Sequence, residues 1–355
     1  MLLVLDEYPE LAAGDPAIDT RLRAVWEEER NQTNLKVLLC GSAVRSMEAM
    51  VEYRSPLHGR FDLRLLVHPF RPHEAALMLP DLSPEDRARA WSVCDGTPLY
   101  LSWWDQAAPT VENLRRLCGE PGAPLRTEGE LILATDGVAG GLARQVLGAI
   151  AAGQNRYSEI AQAIGSGRQV ARVLDDLEKL RLVDRVVPVT EQAGARSGRT
   201  GYRIADNFLA FWLGPLSRFL GEIDRGMGDM VARTLNSRLD DHIGPRFEEA
   251  FRCHLRRLAI PGHFGDEVLR VGSYWARGDV EIDAVVLAGT PPTAVAVGEA
   301  KWAAQVSARA LLPTLVERSL ALPRRADDLM YVICARTRVT RSEGVLPVTA
   351  ADIFA

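Results

Sequence analysis

Two apolar runs near the C-terminal end, separated by a Gly-Thr-Pro-Pro-Thr turn, read as the strands of a hairpin over Gly278 to Trp302. Each carries acid where a core strand should be apolar: Glu281 and Asp283 on the first, Glu299 on the second. Side chains alternate along a strand, so Glu299 and Lys301 share one face while Ala300 and Trp302 take the other. Upstream, Phe247, Phe251, Leu255 and Leu258 recur at helical spacing and predict a helix over Ile243 to Ile260. Val268 to Trp275 and Leu329 to Cys334 read as further strands, the second as the last. Ser307 to Leu322 reads as a helix that Pro313 should kink. The predicted order is helix, three strands, helix, strand.

The middle of the chain has a different pattern. Tyr157 to Ile164 and Gln169 to Lys179 read as two helices, the second with Val170, Val173, Leu174 and Leu177 on its stripe. Strands over Leu182 to Val189 and Thr200 to Ile204 flank a Gly/Arg loop at Gln192 to Arg199. Helix, turn, helix and two-stranded hairpin is the order of a winged helix. Arg168, Arg172, Arg196 and Arg199 are then candidates for phosphate contact. Asp175, Asp176 and Glu178 on the second helix disfavour tight DNA contact, and packing on a protein partner is the alternative. At the N-terminal end, Leu2 to Leu5, Lys36 to Ser42 and Leu63 to Val67 read as strands and Arg21 to Arg30 as a charged helix.

Composition adds one sharp point. Of 42 Lys+Arg, only Lys36, Lys179 and Lys301 are lysine. A lysine beside Glu299 suits a site wanting a compact point charge with a tunable pKa, which guanidinium cannot supply. The bland alternative is a solvated strand end. At 355 residues, more than one domain is expected. A net charge of −5 argues against a uniformly basic nucleic-acid coat but leaves room for a local patch. Five scattered cysteines without CxxC fit reduced cytoplasmic thiols and no zinc ribbon. No apolar run approaches membrane-spanning length, and no signal peptide is read. Heavy Arg and Ala use points to a GC-rich bacterial genome.

The Asp283, turn, Glu299-Ala300-Lys301 arrangement resembles the restriction-endonuclease-like PD-(D/E)xK core. That resemblance implies Asp283 and Glu299 as Mg²⁺ ligands, Lys301 as the residue that positions or activates water, and Glu248 as the helical acid, with Glu249 the competitor for its place. Separately, Leu2-Leu3-Val4-Leu5-Asp6-Glu7, Cys40-Gly41-Ser42, Leu57-His58-Gly59-Arg60 and Asp95-Gly96-Thr97-Pro98-Leu99-Tyr100-Leu101, in that order, resemble the archaeal-type P-loop ATPases (AAA-like and STAND-like). Tyr202 to Trp212 resembles a signature of the same family, which carries a winged helix. The resemblance implies Asp6 and Glu7 as the Walker B pair, Ser42 as a sensor and Arg60 as an arginine directed at a neighbouring subunit's γ-phosphate. In this chain Asp95 replaces the first glycine of the family's Gly-Gly-Thr-Pro.

No G-x-x-x-x-G-K-[ST] phosphate loop occurs. The chain opens at what should be the third quarter of the nucleotide domain, through a late start, a truncation or a relic domain. Hydrolysis of ATP, the family's cofactor, is therefore expected to be lost. The fold expected is multi-domain α/β: a partial P-loop NTPase core (1–70), a helical lid (71–125), a winged helix-turn-helix (126–206), a helical connector (207–242) and an αβββαβ restriction-endonuclease-like domain (243–355). The function expected is that of an archaeal-type ATPase family protein acting on or near DNA. The alternatives are a Mg-dependent nuclease and a non-catalytic DNA-binding or regulatory adaptor. DNA or another protein subunit is the expected partner, in the cytoplasm, with no membrane.

Overall fold

The computed structural model describes residues 1–42, 44–134, 140–165, 167–192, 198–265, 267–276, 280–340 and 343–355, the side chains of Val44, Arg45 and Arg168 excepted. Arg196 and the Arg168 side chain therefore lie outside the described residues. The chain divides into two compact units, Met1–His68 and Pro69–Ala355. No helix among the described residues is long and apolar enough to cross a membrane.

The first unit contains β1 (Leu2–Leu5), α1 (Tyr8–Gly14), α2 (Ile18–Glu29), β2 (Lys36–Leu39) and α3 (Val44–Ala49). β1 and β2 pair in parallel, ending with Leu5 opposite Leu39. Parallel strands are normally covered on both faces, yet Leu2 is 63%, Val4 48% and Leu38 50% exposed. The buried core here is small: Tyr8, Met50 and Leu57. The strand expected over Leu63 to Val67 is absent; its residues have no regular structure, and Leu63, Leu65 and Val67 are exposed. An apolar run without a strand to pair with keeps its backbone groups in water.

The second unit begins with α4 (Pro72–Met78), α5 (Pro84–Cys94), α6 (Pro98–Ser102), α7 (Thr110–Cys118) and α8 (Pro124–Ala134). Proline opens the first three at a position where no backbone N–H is required. Then come α9 (Gly141–Ala151), α10 (Tyr157–Ile164), α11 (Gly167–Lys179), β3 (Val183–Val186) and β4 (Gly201–Ile204), the last two antiparallel. The chain continues through α12 (Asn207–Phe211), α13 (Leu220–Asp224), α14 (Gly228–Ser237) and the long α15 (Leu239–Ala259).

After α15 run β5 (Val268–Ala276), β6 (Val280–Ala288), β7 (Thr293–Lys301), β8 (Gln305–Ser307), α16 (Ala308–Ser319), β9 (Arg325–Ala335), β10 (Arg338–Thr340), β11 (Val345–Thr349) and α17 (Ala350–Ile353). The main sheet has the order β11-β9-β7-β6-β5. β5, β6 and β7 form an antiparallel meander, while β9 and β11 add in parallel. β9 is not the last strand: β11 lies beyond it at the edge, where Pro347 gives up an N–H at no cost. α16 runs on through Pro313, one backbone hydrogen bond the poorer.

Helices lie on both faces of the sheet. Ala296 and Ala300 pack into the same core as Phe251 of α15, while Val297 packs with Leu315 of α16. The segments expected as lid, winged helix, connector and C-terminal domain lie in one unit, whose largest core runs from Ala75 to Phe354.

Candidate functional site

The β6–β7 ladder ends at Ala284 opposite Gly298. One residue beyond, the Asp283 carboxylate accepts a hydrogen bond from the Ala300 N–H at 2.8 Å, so a side chain takes over where the ladder stops. Lys301 Nζ lies 2.7 Å from Glu299 Oε1 and 3.8 Å from Asp283 Oδ2. Asp283 and Glu299 are buried, whereas the lysine keeps one side in solvent. The structure thus brings together Asp283, Glu299 and Lys301 on adjacent strands.

Two arginines complete the cluster that the hairpin alone did not reveal. Arg318 Nη1 reaches both Glu299 oxygens, at 3.3 and 3.2 Å. Arg252 Nη1 donates to the Asp283 carbonyl at 2.7 Å and lies 4.0 Å from Glu248 Oε2. The sequence held a signal for each: Arg318 is three residues after buried Leu315 on one helix stripe, and Arg252 is four after Glu248.

The electrostatics separate Glu248 from its neighbour Glu249. Burial, reinforced by Asp283, pushes the Glu248 carboxyl up to about 7. Burial also works against charge on Glu249, but Arg252, Arg203 and Arg256 overcome it and hold that carboxyl well below the usual range. Glu249 is thus the hub of an arginine network, and Glu248 is the one of the two that Asp283 acts on. Burial and then Glu299 raise Asp283. Lys301 is raised because its hydrogen bond to Glu299 and the surrounding carboxylates outweigh burial. Among the described residues no group of three or more His, Cys, Asp or Glu side chains is placed to hold a metal ion. Mg²⁺ is commonly held by one or two carboxylates plus water and substrate phosphate, and the repelling, all-oxygen set of Glu248 and Asp283 fits that mode.

Gly298 sets how closely α15 approaches this cluster. A Cβ there would fall 2.7 Å from Phe251 Cζ and 3.2 Å from the Val332 carbonyl oxygen. Gly298→Ala is expected to cost about 1–3 kcal/mol by overpacking, read as a lower denaturant midpoint.

Beside the cluster lies a cleft of about 800 Å³ lined by α9, β4, the turns after α12, α14, α15, β5 and β6. Seven arginines and three acids, Asp241, Glu248 and Glu281, line it. Three of the arginines are occupied: Arg199 with Glu191, Arg203 with Asp184 and Glu249, and Arg252 as above. Arg199 is therefore folded back onto Glu191 and the Trp275 carbonyl, which differs from the free phosphate contact expected of it. Arg172 stands out in solvent with Asp176 at 3.9 Å. Arg185 draws on Asp175 and Glu178, so part of the acidity of α11 is neutralised within the hairpin.

In the first unit, Glu7 and Ser42 meet at the C-terminal ends of β1 and β2. Glu7 Oε2 accepts from the Ser42 N–H at 3.2 Å and from its hydroxyl at 3.1 Å. Asp6 accepts from the Glu7 N–H at 3.1 Å. Arg60 is not presented as a free finger: it pairs with Glu27 and donates to the His58 carbonyl at 2.8 Å.

Residues 212–311 match a family described as archaea bacterial proteins of unknown function. That stretch holds Glu248, Asp283, Glu299 and Lys301. An uncharacterized protein of Methanocaldococcus jannaschii is 25% identical over 308 residues, 85% of this chain and 67% of that protein. Among solved structures, a Walker-type ATPase of Pyrococcus abyssi is 24% identical with a TM-score of 0.43, over 60% of this chain and 62% of that one. The ORC2 protein of Aeropyrum pernix is 17% identical with a TM-score of 0.20, over 64% and 65%. The chain thus spans less than two thirds of each of these two solved chains.

Proposed function

We propose that this chain is an archaeal-type ATPase-like protein acting on nucleic acid, and that its C-terminal unit handles phosphodiesters at the Asp283–Glu299–Lys301 cluster. One juxtaposition carries the reading: the Lys301 ammonium sits between two buried carboxylates at adjoining strand ends, 2.7 Å from Glu299 and 3.8 Å from Asp283. A lysine so held presents a point charge to an anionic phosphate oxygen. Arg318 fixes Glu299 from the helix side, and the Ala300 N–H fixes Asp283. Asp283 with Glu248 or Glu299 would hold Mg²⁺, which supplies Lewis acidity and a more acidic bound water. The ordered motifs around Asp6-Glu7, Ser42 and Arg60 support the ATPase relationship.

The test is labelled DNA incubated with the chain in Mg²⁺ or in chelator, alongside Asp283→Asn. The expected result is DNA binding at low salt in both proteins, with Mg²⁺-dependent cleavage in the wild type only. Binding without cleavage under either condition would leave an adaptor in place of a nuclease. Absence of binding at low salt would sink the proposal.

A further inference from the structure

Four arginines around the cleft, Arg156, Arg218, Arg238 and Arg246, have no ion pair among the described residues. Arg246 is the telling one. Its Nε is buried without a hydrogen-bond partner among the described residues, and Asp95, Asp206 and Glu248 act on it without an ion pair. A desolvated guanidinium is costly unless an anion lies against it, and Arg246 lines the cleft where one could. Arg218 and Arg238 are exposed on the same rim. Half-buried Tyr202, Phe219 and Trp275 add flat apolar surface to the same lining. His242, which also lines the cleft, stays neutral because burial pushes it down to about 3. Glu248 is close enough to Glu281 and to Asp283 to interact with both, so the cleft carries its own acid beside the cluster; Asp241 is the third acid of the lining.

Arginines tracking phosphates with aromatic faces interleaved is the chemistry by which proteins hold single strands. The cleft, about 800 Å³, is on the scale of a small-ligand pocket and offers room for roughly one or two nucleotides at a time. We infer that this cleft receives a single strand of nucleic acid, its phosphates on Arg218, Arg238 and Arg246 and its bases against Trp275 and Phe219, and leads it to the Asp283–Glu299–Lys301 cluster. The inference rests on the function proposed above and narrows its substrate to unpaired strand.

The test measures binding of a fluorescent oligothymidylate, a duplex of equal length and a nucleoside monophosphate across a salt series. The proteins are the full chain, the double variant Arg218→Glu/Arg238→Glu and, as a second surface, Arg172→Glu. Both cleft substitutions are at exposed positions, and unchanged thermal unfolding checks the fold. The single strand is expected to bind more tightly than the duplex. The double variant is expected to bind it roughly tenfold more weakly and to lower the log–log salt slope by about 1.4, at ~0.7 per phosphate contact. Arg172→Glu is expected to change little. Tighter duplex binding, an unaltered double variant, or a loss caused by Arg172→Glu instead would overturn the cleft as the strand site while leaving nucleic-acid binding standing. A monophosphate bound as tightly as the oligonucleotide would make this a mononucleotide site. No binding of any nucleic acid would fell both this inference and the function it rests on.

Discussion

Glu248→Gln raises the unfolding temperature at pH 8 in chelator and leaves it unchanged near pH 4. Burial and Asp283 raise the folded carboxyl from 4.5 to about 7, so the folded state binds this proton more tightly than the unfolded chain. The wild type therefore loses stability as pH climbs from about 4.5 through about 7 and carries the full penalty above that window. Glutamine keeps the shape and has no proton to lose. One pKa unit is worth about 1.36 kcal/mol. The Glu248 side chain is about one-third exposed, so solvent screening reduces the gain to about 1–2 kcal/mol, a few degrees in Tm. Thermal melts of both proteins from pH 4 to 8 check this. Parallel pH curves would show that Glu248 is not the titrating acid.

At position 95, glycine and alanine should behave oppositely. Asp95 has φ 52° and ψ −159°, close to a region held almost only by glycine. Its carboxyl is buried against Asp206 and accepts from the Asn207 N–H at 3.4 Å. Burial and then the Asp206 charge push it well above the usual range. Asp206 has its own task, since it caps α12 by accepting from the Leu209 N–H at 2.5 Å. Asp95→Gly and Asp95→Ala lose the same carboxyl, so the difference between them isolates the backbone. Glycine is expected to be more stable than alanine by about 1–3 kcal/mol in denaturant midpoint. Because the raised carboxyl weakens the wild type as pH rises above about 4, its gap to Asp95→Gly should move in favour of glycine toward pH 8. Equal stability of the two variants would mean that position 95 carries no backbone strain.

Much of this was present as local pattern. The stripe of Phe247, Phe251 and Leu255 fixed the face of α15, and the Gly/Pro turn between two apolar runs fixed the β6–β7 hairpin. Alternation put Glu299 and Lys301 on one side, where they form an ion pair. The scarcity of lysine singled out Lys301. Each of these needs only the residue types and a period of two or 3.6, which short-range backbone geometry imposes.

The tertiary structure decided which charges meet. Arg318 reaches Glu299 from 19 residues away, Asp95 meets Asn207 across 112, and Arg203 takes Glu249 out of contention across 46. It also decided that Leu63 to Val67 finds no strand to pair with, that Val345–Thr349 becomes an edge strand, and that Arg60 and Arg199 turn to nearby carboxylates. A periodic pattern tells which face of an element is buried. A charge's partner depends on where distant elements dock, and that is set by the packing of the whole core, as Gly298 under Phe251 shows.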